Sequence, residues 1–307
     1  MLAVPTLLLA VCAVLAGGFL VTNLVNPAFT ARSVVATGDW WLSHWPFERG
    51  KSLWFRLNGM LYRVGVFKPI VARTRSGMTM ELDSRDLVSQ TILMTGMWDP
   101  KVTAFVDGNL HPGDVFIDVG AHVGYCSLLA SRAVGAEGKV IAVEPNPPTI
   151  ARLERNIRLN HADNIVVRKV ASTDAETTLR FFQAGVENTG RSSVNQNHAR
   201  GGSEISVAGV PLDRMVQSLG LSRVDLVKID VEGAEMQVLA GMTDILARYR
   251  PKIVVELRFE FLENMGSSLA AAEAFFRANG YTLQDRDNLD NYFWVPAPGQ
   301  PAAFVVH

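Results

Sequence analysis

Glycine and acidic residues of the kind that surround a nucleoside are concentrated in residues 118–144. The motif 118–124 (DVGAHVG) begins within the last two residues of the apolar run 115–119 (VFIDV). This pattern is typical of a buried strand that ends in a glycine turn. Gly120 allows the backbone to turn tightly and approach a ligand, and Gly124 allows the next helix to pack closely on the strand. Since ligands of open α/β sheets bind beside the carboxyl ends of the strands, this turn is a candidate ligand site.

Two carboxylates and a histidine define the chemistry of that site. Asp118 ends the first strand, and an acidic group pointing into the crevice there suits a cationic, amine-bearing ligand. Glu144 ends the next predicted strand, where a carboxylate can accept both hydroxyls of a ribose. His122 stands where the dinucleotide fingerprint has its second glycine, so the turn has less room for a diphosphate. The two motifs together predict a nucleoside ligand without a diphosphate.

Strands and helices alternate from about residue 78 and must position these groups. Strands are predicted at 115–119, 139–143, 165–170, 224–229 and 253–257, with helices between them. The helix after 224–229 is predicted to run to about residue 249. A hairpin of 281–284 and 291–295 follows the last helix. The alternation predicts a mostly parallel sheet covered on both faces, with the hairpin as an antiparallel edge. The segment 172–212 is predicted to be an insertion near the active face, with strand-like pieces at 178–182 and 204–207.

The first 77 residues have a different composition. Residues 1–31 carry no charged side chain, and 7–25 are almost wholly apolar, which is long enough to cross a bilayer core of about 30 Å as a helix. A cleaved signal peptide is the alternative, although it normally begins with a basic residue. Residues 32–77 hold four tryptophans and a basic excess, which favours either a helix on the membrane surface or a helix packed on the catalytic domain.

These patterns predict three parts: a membrane anchor (1–31), a Trp/basic-rich juxtamembrane segment (32–77) and a catalytic domain (78–307). The basic excess after the apolar run places the catalytic domain on the cytoplasmic side of the membrane. The net charge of −1 argues against a nucleic-acid partner. No Cys/His cluster has zinc spacing, and although Asp230 and Glu256 are hard oxygen ligands, we expect no metal.

Three motifs together resemble the FkbM family of class I S-adenosylmethionine (SAM) dependent methyltransferases. They are residues 113–125 (GDVFIDVGAHVGY), 144–146 (EPN) and 225–235 (DLVKIDVEGAE), and the similarity covers about 83–295. The family commonly has Asn in place of His122. The resemblance implies a Rossmann-like seven-stranded, mostly parallel sheet with an antiparallel last strand, preceded here by the predicted transmembrane helix.

The resemblance also implies a cofactor, S-adenosyl-L-methionine, and the residues that bind it. These are Asp118, Gly120, Ala121, His122 and Gly124 at the methionine end, Glu144 at the ribose, and Ala171 and Ser172, taken as the end of strand three, near the adenine. Asp230, at the end of strand four, would face the reacting methyl group or the substrate and is the first candidate base. Glu232 and Glu235 stand behind it as catalytic candidates, although the dipole of the following helix explains them equally well.

The implied activity is O-methylation of a hydroxyl on a glycan, a lipid-linked sugar or another metabolite. A catalytically silent, SAM-binding partner of a membrane complex is the main alternative. A nicotinamide-dependent oxidoreductase is a weaker one, because it needs room for a diphosphate where His122 stands.

Overall fold

The computed structural model describes residues 69–83, 85–185, 188–199 and 203–299. The predicted anchor (1–31) and most of the predicted juxtamembrane segment (32–77) lie outside these ranges. The described chain divides into two units, residues 69–98 with residue 188, and residues 99–299 without it.

The first unit contains a hairpin and a helix. Strands β1 (Ile70–Arg73) and β2 (Thr79–Leu82) pair antiparallel, and residue 78, the predicted start of the catalytic domain, lies in the turn between them. Helix α1 (Leu87–Thr95) begins where the Asp86 carboxylate accepts the Ser89 N–H at 3.0 Å, an N-cap that satisfies a backbone donor of the first turn.

The second unit alternates strands and helices as predicted. Its elements are α2 (Pro100–Asn109), β3 (Val115–Val119), α3 (Tyr125–Val134), β4 (Lys139–Val143), α4 (Pro147–Leu159), β5 (Ile165–Arg168), β6 (Ala171–Ser172), β7 (Thr177–Phe182), a 3₁₀ turn (Thr189–Arg191), β8 (Glu204–Val210), α5 (Leu212–Ser218), β9 (Leu226–Ile229), α6 (Glu235–Ala240), α7 (Thr243–Arg248), β10 (Lys252–Glu256), α8 (Phe259–Asn264), α9 (Leu269–Ala278), β11 (Tyr281–Arg286) and β12 (Asn291–Pro296).

Seven of these strands form one sheet in the order β11-β12-β10-β9-β3-β4-β5. Strands β5, β4, β3, β9 and β10 run parallel, and β12 is antiparallel to both of its neighbours. The predicted Rossmann-like sheet with an antiparallel last strand is therefore confirmed. The hairpin lies at one end of the sheet, as predicted. Strand β11 is the edge strand, and β12, between β11 and β10, buries Phe293 and Trp294.

One predicted helix is two. The sequence after β9 predicts a single helix to about residue 249, whereas α6 ends at Ala240 and α7 begins at Thr243. Gly241 lies between them, where a Cβ atom would collide with the backbone carbonyl of Thr173. The chain approaches another backbone too closely there for any residue but glycine.

The insertion between β5 and β9 has a sheet of its own. Strands β6, β8 and β7 form three strands in the order β6-β8-β7, close to the predicted pieces 178–182 and 204–207. The placement of Ala171 and Ser172 at the end of strand three is wrong. Strand β5 ends at Arg168, and Ala171 and Ser172 pair with Gly209 and Val210 of the small sheet.

The predicted membrane-anchored localisation is contradicted. Within the ranges that the structure describes, no helix is long and apolar enough to cross a membrane. The longest of them, α4, has 13 residues, and a spanning helix needs about 20 apolar residues. The segment 1–31, to which the prediction was assigned, lies outside the described ranges.

Candidate active site

The turn between β3 and α3 is built from three residues with left-handed backbone. Gly120 has φ 79°, His122 has φ 50° and Gly124 has φ 91°. The N–H groups of Gly120 and Ala121 both donate to the carbonyl of Val143 at 3.0 Å, which ties the turn to the end of β4. A Cβ atom on Gly120 would collide with the backbone carbonyl of Asp230, so the glycine serves close approach as well as chain direction.

Glu144 anchors the same turn from β4. Its carboxylate accepts the N–H of His122 at 2.9 Å and the N–H of Asn146 at 2.9 Å. Burial raises the pKa of Glu144 to about 7, against the two backbone hydrogen bonds, which lower it. A ribose bound at Glu144, as the sequence predicts, would therefore meet a carboxyl group that already shapes the turn.

The side chain of Asp118 faces a lysine. Asp118 and Lys228 are partners in the parallel ladder of β3 and β9. The Asp118 side chain is fully buried, its Oδ2 accepts the hydroxyl of Ser127 at 2.6 Å, and its Oδ1 lies 3.5 Å from Lys228 Nζ. The cation beside Asp118 is thus a side chain of the protein, where the sequence led us to expect an amine of the ligand.

Lys228 joins the glycine turn to the predicted base. Its ammonium group donates to the Asp230 carboxylate at 3.3 Å and to the Gly120 carbonyl at 3.4 Å. Burial lowers the pKa of Lys228, but the carboxylates of Asp230 and Asp118 outweigh burial and raise it above its ordinary value. Lys228 therefore keeps its proton inside this sheet.

Asp230, Glu232 and Glu256 form a carboxylate cluster. One oxygen of each lies within 4.8 Å of the others. Arg258 borders the cluster, with Nη1 3.4 Å from Glu232 and Nε 3.8 Å from Glu256. Burial and then the charge of Asp230 raise the pKa of Glu232 to about 8, and the same two causes raise the pKa of Glu256.

Three carboxylate oxygens at this spacing are a set that could hold a hard cation such as Mg²⁺. Arg258 already supplies a positive charge to two of them. Our expectation of no metal stays a prediction.

Glu235 belongs to the loop that carries the cluster. It is the first residue of α6 and is buried. Its Oε1 accepts the N–H of Gly233 at 2.9 Å and that of Val231 at 3.4 Å. Burial raises the pKa of Glu235 to about 7. The contacts of Glu235 thus hold the shape of residues 231–235.

The chain also matches a family profile. The profile described as "Methyltransferase FkbM domain" matches residues 118–283, more than half of the chain. The chain belongs to the FkbM methyltransferase family. The match begins at Asp118 and includes the glycine turn, Glu144 and the carboxylate loop after β9. The cofactor of this FkbM methyltransferase is S-adenosyl-L-methionine, as predicted.

Three curated relatives are similar to this FkbM protein. "Methyltransferase 1" of Beauveria bassiana is 32% identical, over 56% of this chain and 74% of the relative. "31-O-demethyl-FK506 methyltransferase FkbM" of Streptomyces tacrolimicus is 26% identical, over 57% and 75%. "Hexuronic acid methyltransferase AglP" of Haloferax volcanii is 27% identical, over 43% of this chain and 52% of the relative.

The FkbM fold brings together most of the predicted site residues. Gly120, Ala121, His122 and Gly124 form the turn, Glu144 holds it, and Asp230 packs against it through Gly120. Ala171 and Ser172 are buried in the small sheet, so their place beside the adenine stays a prediction.

Sequence reasoning missed Lys228, Arg258 and Thr189. Lys228 had a signal, since it is a lysine inside an apolar strand. Arg258 and Thr189 had none, because each reaches the site through tertiary packing. The Thr189 hydroxyl lies 2.8 Å from Nε2 of His122, on the 3₁₀ turn after β7.

Proposed function

We propose that this FkbM protein transfers the methyl group of S-adenosyl-L-methionine to a hydroxyl oxygen of a small molecule. The acceptor class is a glycan, a lipid-linked sugar or another hydroxylated metabolite. One observation carries the proposal. The Asp230 carboxylate is held by Lys228 beside the glycine turn between β3 and α3, called the cofactor turn from here on. The Asp230 side chain remains 30% exposed, so that an acceptor can reach it.

The proposed reaction needs alignment and removal of a proton. S-adenosyl-L-methionine supplies a methyl group bound to a sulfonium. The acceptor oxygen must be held about 3 Å from that carbon, in line with the bond that breaks. Asp230 would take the hydroxyl proton as the acceptor oxygen receives the methyl group, and the cofactor would be released as its neutral thioether. A base in this role adds about 10²–10⁴-fold to the rate.

Glu232 and Glu235 support Asp230 in this proposal. Glu235 holds the shape of the loop that carries Glu232, through its bonds to the N–H groups of residues 231 and 233. Glu232 pairs with Arg258, and its raised pKa of about 8 means that a proton is shared among the carboxylates near neutral pH. Asp230 is held by Lys228 at 3.3 Å and stays partly exposed, whereas Glu232 is more deeply buried beside Arg258. Asp230 is therefore the better base, and Glu232 is a group through which the proton can leave.

The names of two relatives support the acceptor class. One is named for a hexuronic acid and the other for an oxygen atom of FK506. Both names describe oxygen-rich small molecules. A catalytic carboxylate next to the cofactor turn suits such acceptors, since a hydroxyl must lose its proton on methylation whereas a neutral amine can first attack with its lone pair.

The test is a search for the labelled product. The full chain is incubated with methyl-labelled S-adenosyl-L-methionine and the small-molecule fraction of cells of its source, and the products are analysed by mass spectrometry. We expect a labelled methyl ether on a hydroxylated compound. Asp230→Asn should lose about 10²-fold or more of the rate while retaining its affinity for S-adenosyl-L-homocysteine (SAH). Asp244→Asn, on α7, is the matched control and should retain the rate.

Two outcomes would contradict the proposal. Label found on nitrogen, carbon or sulfur alone would refute transfer to a hydroxyl. A full rate in Asp230→Asn would refute its role as the base.

A further inference from the structure

We infer that Lys228 is a positioning residue that fixes the Asp230 carboxylate against the cofactor turn and sets the relative affinity for the cationic cofactor and its neutral product. The inference rests on the proposed function, because it assigns Lys228 a role through Asp230. The ammonium group of Lys228 lies at the junction of three groups of the protein.

The sheet register brings these groups together. Lys228 lies on β9, between β3 and β10, and is the ladder partner of Asp118 on one side and of Val254 on the other. Asp230 follows two residues later, and residues two apart lie on the same side of a strand. The ammonium nitrogen is consequently 3.3 Å from Asp230, 3.4 Å from the Gly120 carbonyl and 3.5 Å from Asp118.

Stability does not account for a lysine at this position. Its side chain is only 8% exposed, and burying an ammonium group has a large desolvation cost that its ion pairs offset only in part. Methionine at 228 together with a neutral residue at 118 would fill the same space without that cost. The neighbouring residues of β9 are apolar and fully buried, as their environment favours. The charge of Lys228 therefore calls for a functional explanation.

The charge of Lys228 acts on the cofactor through the Asp230 carboxylate. The Asp230 carboxylate attracts the positive sulfonium of the cofactor, and the Lys228 ammonium partly cancels that attraction. SAH carries no sulfonium charge, so the same lysine has little direct effect on it. Lys228 therefore weakens binding of the cofactor relative to the product, and its contact at 3.3 Å fixes the Asp230 carboxylate in the orientation needed to take a proton.

Calorimetric titration of the full chain with SAM and with SAH at pH 8 tests this inference. Lys228→Met should raise the ratio of SAM affinity to SAH affinity about tenfold, since an uncompensated Asp230 favours the cation. Lys228→Arg retains the charge and should leave the ratio within about twofold of the wild type. Lys252→Met is the control, because Lys252 lies on the neighbouring strand and bonds to Asn109; its ratio should not change.

A second variant covers the case in which Lys228→Met does not fold. Lys228→Met combined with Asp118→Asn removes the lysine together with its fully buried partner charge, and the ratio should again rise. A purely structural role would lower both affinities equally, so an unchanged ratio in a folded Met variant overturns the inference, and so does failure of both variants to fold. If the wild-type chain binds neither ligand, the proposed function fails; if it binds both and the ratio does not respond, only the inference about Lys228 fails.

Discussion

Several carboxyl groups of the site share one property at the level of single residues: burial raises the pKa of each. Glu144 and Glu235 have pKa values of about 7, and Glu232 has one of about 8. Each accepts backbone hydrogen bonds or pairs with an arginine, and these contacts only partly offset the loss of water. The site therefore binds protons that an unfolded chain would release, and such groups concentrate where chemistry is done.

Glu144→Gln is expected to weaken binding of SAH about 10- to 100-fold. The variant loses a charged acceptor for the ribose and weakens the bonds to His122 and Asn146, and hydrogen bonds to charged groups contribute about 1.5–3 kcal/mol. Calorimetric titration measures the effect. Glu154→Gln, on the outer side of α4 where it pairs with Lys169, is the matched control, and an equal loss in both variants would contradict a role of Glu144 at the ribose.

Glu235→Gln is expected to make stability depend less on pH. A carboxyl whose pKa is raised from 4.5 to about 7 on folding stabilises the fold below pH 4.5, and that contribution is lost as the pH rises to 7. The free energy of unfolding of the wild type should therefore fall over this range, by about 1.4 kcal/mol per pH unit for each proton released. Urea unfolding at pH 5, 6, 7 and 8 should show a shallower slope for Glu235→Gln than for the control Glu273→Gln, a partly exposed carboxylate on α9 that pairs with Arg277. Equal slopes would show that Glu235 keeps its ordinary pKa.

The turn between β3 and α3 shows what the scale of one element adds. Gly120 and Gly113 both have left-handed backbone, with φ 79° and 90°. A Cβ atom on Gly113 would meet nothing within 4 Å, whereas one on Gly120 would collide with the Asp230 carbonyl. The same backbone conformation therefore has different consequences at the two positions.

Gly113→Ala is expected to cost about 1–2 kcal/mol of stability from backbone strain alone and to leave SAH binding intact. Gly120→Ala should cost more, because the strands β3 and β9 must also separate at their ends, and it should abolish SAH binding. Chemical unfolding and calorimetric titration of both variants measure the two effects. Retained SAH affinity in a folded Gly120→Ala protein would show that the close approach to Asp230 is not needed for the cofactor site.

The whole molecule can be tested through its ligand. A ligand that binds only the folded chain at 100 times its Kd stabilises it by about 2.7 kcal/mol, which raises the melting temperature of a domain of this size by about 5–10 °C. We expect SAH to give such a shift and NADH to give none, since His122 occupies the place where a diphosphate would approach. A thermal-shift titration with both ligands decides, and a larger shift with NADH would favour the oxidoreductase.

Much of this architecture was predictable because it is local. Apolar runs ending in glycine or an acidic residue predicted the strands of the parallel sheet, and the glycine turn and Glu144 were placed correctly at their ends. Helix boundaries were less predictable: the break at Gly241 depends on the backbone of Thr173, which lies far away in the sequence. The site behaved in the same way, since Asp230 was predictable from its motif whereas its contacts with Lys228 were not.

By itself, the sequence determined the family, the cofactor and the alternation of strands and helices along the chain, because hydrophobic periodicity and short motifs are properties of neighbouring residues. Only the tertiary structure decided which charges meet. Asp118 and Lys228 are 110 positions apart and become partners through the register of β3 and β9, so the expected amine of a ligand is replaced by a lysine of the protein. Strand β12 likewise pairs with β11 on one side and with β10 on the other. No local pattern specifies its pairing with β10, which is distant in the sequence.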